Sequence, residues 1–303
     1  LFILLFAASS LLFQFPPEAF ASSPSEITAA DSETDGANGF DELDGVYDVD
    51  TFVIGSSTYA IVVSSVDDGV QIIDISDPAD ITATDSETDG ANGFDELDGA
   101  ASVSTFVIGS STYAIVASNV DDGVQIIDIS DPENIVATDS MTDSGKLALL
   151  GAFGVDTFVI GSSTYAIVAS DNDHGVQIID ISDPADITAT DAETDGANGF
   201  TELLFSNGVD TFVIGSSTYA VVASQLDDGV QIIDISDPAD ITATDSETDG
   251  VNGFDMLGTA GGAIDVDTFV IGSSTYAIVA SRGDSGVQII DISDPADITA
   301  TDA

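Results

Sequence analysis

No cysteine and no tryptophan occur in this chain, and Lys146 and Arg282 are its only basic side chains. Without cysteine there is no disulfide, no thiol nucleophile and no thiolate metal site. With two cations against 55 acids the net charge is −53. A phosphate backbone is repelled by such a surface, which excludes nucleic acid as a partner, and an anionic membrane surface is disfavoured for the same reason. Charged residues are nevertheless only 19% of the chain. The imbalance comes from missing lysine and arginine, not from a high density of charge. Cations, basic or neutral protein surfaces and sugars remain as partners. No G-x-S-x-G elbow, glycine-rich phosphate loop or zinc motif occurs either.

What is present is a large apolar fraction, 44% of 303 residues, enough for a sizeable core. Residues 1–15 (LFILLFAASSLLFQF) are mostly apolar, and Ala19-Phe20-Ala21 follows as a small-x-small cleavage site. The stretch is shorter than the ~20 residues of a membrane span. Residues 1–21 therefore read as a secretory signal truncated at its start, which places the mature chain, residues 22–303, outside the cell or on its surface. No segment of that mature part is long and apolar enough to span a membrane.

The rest is repetition. The segment TFVIGSSTYA begins at Thr51, Thr105, Thr157, Thr211 and Thr268. A period in this range without a helical pattern signals a propeller or another repeat array. Each unit holds four strand candidates. In the second unit they are Ser104 to Ile108 (A), Tyr113 to Ser118 (B), Val124 to Ser130 (C) and Ile135 to Ser140 (D). Gly109-Ser110-Ser111, Asp122-Gly123 and Asp131-Pro132 punctuate them as turns. Strands A to C carry apolar residues on both faces, which demands a sheet covered on both sides. Strand D is more polar, as an outer edge should be. The expected fold is an all-β propeller of four-stranded antiparallel blades, five of them complete.

The residues Tyr113-Ala114-Ile115-Val116-Ala117-Ser118 and the run from Asp122 to Pro132 (DGVQIIDISDP) have close counterparts in every unit. This pattern resembles the LVIVD-repeat family of bacterial and archaeal cell-surface proteins. The resemblance implies one four-stranded blade per repeat and a β-propeller, and implies little about function. The chain departs from the family's usual form in a long acidic insert after strand D. A further D-like run, Ile27 to Ser32, precedes the first unit, while the last unit supplies its own strand D. One outer strand is thus surplus, and a ring of six or more blades, with the chain continuing past Ala303, is the expectation.

Near-identical copies reveal where they differ. The B–C loop varies, at Asn119-Val120, Asp171-Asn172 with His174, Gln225-Leu226 and Arg282, and so does the D–A connection that carries Lys146. Both connections lie at one end of an antiparallel blade, so one face of the disc is diversified. Loops on a rigid scaffold are where binding resides. That face is expected to contact a protein or glycan partner. The D–A insert also has the spacing of a calcium loop. Asp31, Glu33, Asp35 and Glu42 fit it, as do Asp85, Glu87, Asp89 and Glu96, and Asp191, Glu193, Asp195 and Glu202. Ca²⁺ is therefore the one cofactor to test for, against the alternative that these acids alternate along an exposed edge strand. A hydrolase or lyase with its site at the channel is the third reading.

Overall fold

A computed structural model describes residues 29–258 and 261–302. Blade one comprises β1 (Val46–Ile54), β2 (Ser57–Ser64), β3 (Gly69–Asp74) and β4 (Thr82–Thr88). Blade two comprises β5 (Ala100–Ile108), β6 (Ser111–Ser118), β7 (Gly123–Asp128) and β8 (Val136–Thr142). Blade three has β9 (Ala152–Ile160), β10 (Ser163–Ser170), β11 (Gly175–Asp180) and β12 (Thr188–Thr194). Blade four has β13 (Ser206–Ile214), β14 (Ser217–Ser224), β15 (Gly229–Asp234) and β16 (Thr242–Thr248). Blade five has β17 (Ala263–Ile271), β18 (Ser274–Ser281), β19 (Gly286–Asp291) and β20 (Thr299–Asp302). Every blade is an antiparallel meander in chain order. The four-stranded units expected from the repeats are present in all five.

Local chemistry explains the meander. A two-residue turn joins β5 to β6, with Ile108 opposite Ser111 and Gly109 at φ 65°, the conformation that a tight hairpin requires and glycine accepts. After β7 the chain leaves the sheet under side-chain control. Ser130 N donates to Asp128 Oδ1 at 2.9 Å, and Ser130 Oγ accepts from Thr112 N at 3.0 Å. The inner strands run four residues further toward their N-termini than the apolar pattern suggests. Ala100 to Val103 pair with Val116 to Ser118 across a bulge, so polar and small residues are carried into the sheet by the ladder itself.

The core lies between blades. Phe52, Ile61, Val63, Val70 and Ile72 of blade one pack against Ala114, Val116, Ile127, Ile129 and Ile135 of blade two. The same joint recurs between blades two and three, three and four, and four and five. Apolar faces on both sides of each sheet are thus covered by neighbouring sheets, as the two-sided pattern required. The acidic insert contributes to this core: Phe94 is 1% exposed and Leu97 fully buried between blades one and two. Gln125, also buried, holds the insert down. Its Nε2 donates to Asp139 O at 2.8 Å and its Oε1 accepts from Asp95 N at 3.1 Å, so a polar group in an apolar strand is satisfied twice.

Inner strands pack in series, β1 on β5, β5 on β9, β9 on β13 and β13 on β17. Among the described residues, β17 and β1 do not pack on each other to a comparable extent. Of the D-like run ahead of blade one, Ile27 and Thr28 lie outside the described residues, and residues 29–32 form no strand. One feature of an outer strand survives there. Asp31 Oδ2 accepts from Ile81 N at 2.9 Å, as Asp85, Asp139, Asp191 and Asp245 accept from the first isoleucine of the next blade's outer strand at 2.8 Å. Among the described residues no helix is long and apolar enough to cross a membrane.

Candidate binding site at the channel mouth

The two variable connections do lie at the same end. Ser65 N donates to Gly45 O at 3.0 Å, and Asp44 N to Asp67 Oδ2 at 2.6 Å, so each B–C loop is clasped by the insert that precedes its blade. The residue before the B–C glycine then reaches the next blade. Asp68 Oδ1 accepts from Gly99 N at 3.0 Å and Asp122 Oδ1 from Gly151 N at 2.7 Å. In blade three His174 stands in that place. Its Nδ1 accepts from Phe205 N at 3.2 Å, and its ring lies 5.8 Å from that of Phe205. His174 is a link between blades with its acceptor nitrogen engaged.

A cavity of about 330 Å³ opens at this end of the central channel. Its walls are the first residues of the five inner strands: Tyr47-Asp48, Ala101-Ser102, Phe153-Gly154, Asn207-Gly208 and Ile264-Asp265. Asp171, Gln225 and Arg282, the first residues of three B–C loops, complete the rim. The ring of Tyr47 meets Phe153 edge to face across the mouth at 5.3 Å. Asp48 Oδ2 accepts from Ser102 Oγ and from Val103 N, both at 3.0 Å. Adjacent inner strands approach closely here. A Cβ on Gly154 would lie 2.1 Å from Asn207 O, and one on Gly208 2.6 Å from Asp265 Cα.

Two acceptors at this cavity are unsatisfied. Asn207 is 5% exposed, and neither its Oδ1 nor Asp171 Oδ1 has a hydrogen-bond partner. Burial pushes the Asp171 carboxyl up to about 6 against the pull of nearby His174. Asp265 is raised too, by desolvation first and by Asp48 facing it. Deeper in the channel Asp156 Oδ2 holds Thr211 N at 2.9 Å and Thr211 Oγ1 at 2.7 Å, and burial raises it, with Asp210 alongside adding to the effect.

Of the residues expected on the partner face, Asp171, Gln225 and Arg282 converge on this cavity. Asn119 and Val120 fold instead over Gly99 of their own insert. Lys146, Asn172 and Leu226 are exposed away from the cavity walls. The sequence reading missed the inner-strand positions, from Tyr47 to Asp265. Their signal was present: five copies that agree at TFVIG carry five different residues (Tyr47, Ala101, Phe153, Asn207 and Ile264) at the start of the dipeptide two residues upstream.

The calcium-loop acids are not gathered into one shell. Asp31, Asp85 and Asp191 each accept from an isoleucine N–H of the next outer strand. Glu33, Glu87 and Glu193 each accept from Asn38, Asn92 and Asn198 at 2.8–2.9 Å. Asp35, Asp89 and Asp195 cap Leu43, Leu97 and Leu203 N. Asp85 and Glu87 belong to β4 itself, whereas Asp89 and Glu96 both lie near Asp121 of the B–C loop. Only the last acid turns inward. Glu42, Glu96 and Glu202 each bury an Oε2 without a partner, and desolvation pushes each carboxyl up to about 7. Among the described residues no group of three or more His, Cys, Asp or Glu side chains is placed to hold a metal ion.

Comparison with known proteins follows the same lines. The LVIVD repeat model matches residues 56–86, 107–143, 159–190, 213–246 and 270–301. The chain belongs to the LVIVD-repeat family. Those five matches coincide with the B–C–D part of the five blades, so in this LVIVD-repeat protein the variable B–C loops lie within the matched segments and the variable starts of the inner strands lie outside them. No curated protein matches the chain. Solved structures do. A Lactobacillus plantarum protein is similar at 15% identity and TM-score 0.60, over 84% of this chain and 69% of that one. A functionally unknown Desulfotomaculum acetoxidans protein is similar at 13% identity and TM-score 0.57, over 84% and 70%. The exo-β-1,3-galactanase of Phanerochaete chrysosporium is similar at 11% identity and TM-score 0.51, over 91% and 67%. These likenesses show the propeller-type fold and nothing of the chemistry.

Proposed function

We propose that this LVIVD-repeat chain is a binding module outside the cell whose channel mouth takes the end of a neutral glycan. One observation carries the reading. Five nearly identical blades differ from one another at the inner-strand dipeptide, and all five dipeptides line a single cavity together with Asp171, Gln225 and Arg282, the first B–C residues of blades three to five. The chemistry of the walls narrows the ligand. Tyr47 and Phe153 offer an aromatic surface, and the side chains of Asp171, Asn207 and Gln225 add polar groups to the same wall. A sugar ring supplies an apolar face and several hydroxyl donors. A charge of −53 repels anionic ligands. Asp48 is engaged by Ser102 and Val103, which makes it part of the wall and leaves the recognition to its neighbours.

Saturation-transfer NMR against a panel of neutral and anionic oligosaccharides tests this. Neutral sugars should bind, and Tyr47→Ala should weaken the best of them up to about tenfold, the worth of one aromatic contact. Absence of binding by any neutral sugar, or binding indifferent to both Tyr47→Ala and Asn207→Ala, refutes the reading.

A further inference from the structure

At the joint between blades three and four, two residues change together, and they touch. Just ahead of each inner strand the backbone is left-handed, with Gly45, Gly99 and Gly151 at φ 70–74° and Phe205 at φ 63°. Glycine accepts that conformation, and a residue with a Cβ resists it. At the end of the B–C loop Asp68, Asp122 and Asp228 precede the third strand of their blades, and blade three has His174 in that place. The histidine and the phenylalanine are partners. His174 Nδ1 accepts from Phe205 N at 3.2 Å, and the two rings lie 5.8 Å apart. In the two preceding joints an aspartate makes the same bond to a glycine, Asp68 to Gly99 at 3.0 Å and Asp122 to Gly151 at 2.7 Å.

Three walls of the channel mouth hang on that bond. Asp171 belongs to the same B–C loop as His174. Gln225 N donates to Phe205 O at 3.0 Å, and Asn207 follows Phe205 closely in the chain. Asp171, Asn207 and Gln225 all line the cavity. A carboxyl oxygen accepts a hydrogen bond in either protonation state, whereas Nδ1 of histidine accepts only while the ring is neutral. Histidine is the side chain whose charge changes between about pH 5 and 8. A charged ring has somewhere to turn. Asp171 of its own loop and Asp227 of the next blade's loop both feel its charge, and Asp171 Oδ1 is buried without a partner. Behind these stand Asp122, which faces Asp171, and Asp195 and Glu202, which face Asp227. Asp173, next to the histidine, is engaged by Leu150 N.

We propose that His174 is a positioning residue for the channel mouth: while neutral it holds Phe205, and with it the wall at Asn207 and Gln225, and on gaining a proton it lets that wall go. The joint between blades three and four then loses a bond in acid that the joints held by Asp68 and Asp122 keep. Under the glycan reading above, on which this consequence rests, the mouth keeps its ligand in neutral surroundings and releases it in acid ones.

Amide hydrogen exchange and side-chain amide shifts of the free chain, read by NMR at about pH 7.5 and about pH 5, measure this without a ligand, so the result is separate from whether a glycan binds. Corrected for the intrinsic rate, the Phe205 amide should lose roughly fivefold in protection at the lower pH, the worth of one hydrogen bond. Gly151, held by Asp122, should keep its protection. The side-chain amide signals of Asn207 and Gln225 should move in step with Phe205. His174→Asp and His174→Asn each supply an oxygen that accepts at both pH values, and both residues tolerate the φ of 55° at this position. In whichever of them melts like wild type, the loss at Phe205 should vanish. Burial pushes Asp171 up to about 6 and Glu202 up to about 7, and both acids remain in the variants, so a response of their making remains too. A Phe205 amide equally protected at both pH values overturns the proposal. So does a loss that persists in the variants, or one that leaves the Asn207 and Gln225 signals where they were.

Discussion

Glu96→Met asks whether the buried acid beneath the insert holds this fold together or strains it. The chain supplies its own control. Ser118 Oγ donates to Glu96 O and Ser170 Oγ to Ala148 O, which makes Ala148 the blade-three counterpart of Glu96. In blade five the counterpart is Met256, whose Cε lies against Gly286 as Glu96 Oε2 lies against Gly123. The site therefore accepts an apolar side chain of glutamate's length. Glu96 is 7% exposed, its Oε1 accepts from Thr142 Oγ1, and Oε2 has no partner. Burial pushes its carboxyl from 4.5 up to about 7, with Asp121, Asp89 and Asp95 adding to the rise. The folded chain thus favours the neutral acid. That contribution to stability is fully present below about 4.5 and is lost as pH rises through about 7. The whole difference is at most about 3 kcal/mol, and solvent around the neighbouring aspartates reduces it to on the order of 1–2 kcal/mol. Methionine carries no such penalty. Glu96→Met should melt higher than wild type at about pH 8, by roughly 2–6 °C for a chain of this size. At about pH 5.5 the difference should shrink or reverse, because the variant lacks the Thr142 hydrogen bond while the wild-type acid is neutral. Scanning calorimetry at the two pH values measures both. A variant less stable at the higher pH, or a difference that ignores pH, refutes the reasoning.

Two further substitutions follow from the inter-blade contacts. Gly154→Ala would drive its Cβ to 2.1 Å from Asn207 O, so blades three and four must separate, and a loss of about 1–3 kcal/mol in denaturant unfolding is expected. His174→Asp should be neutral to within about 0.5 kcal/mol because Asp68 and Asp122 make the same link, whereas His174→Ala should cost about 1 kcal/mol, measured in the same unfolding experiment.

The blade was legible because strand periodicity and turn chemistry are local. Val124 to Asp128 alternates apolar residues onto both faces, and that alone required neighbours on each side. Gln125 was not legible. It counts as polar in any pattern, yet it is buried because the insert offers it Asp95 N and the outer strand Asp139 O, partners that only the folded register brings together. The insert's acids obey a spacing that suits a calcium loop, and the fold places Asp85 and Glu87 of that spacing in the β4 ladder. The channel cavity lay in plain view as divergence at Tyr47, Ala101, Phe153, Asn207 and Ile264. What sequence could not supply was the arrangement in space that brings five positions, each about fifty residues from the next, onto one cavity.

The uniformity of the blades has a cost during folding. β3, β7, β11, β15 and β19 have the same sequence, GVQIID. A nascent hairpin therefore cannot distinguish its own third strand from a neighbour's by side-chain fit. Correct pairing rests on proximity along the chain, through B–C loops of four residues such as Ser65 to Asp68. Emergence from the ribosome one blade at a time preserves that proximity, and refolding from denaturant discards it. Synthesis in order is thus the proofreading step, and swapped strands between blades are the errors it prevents.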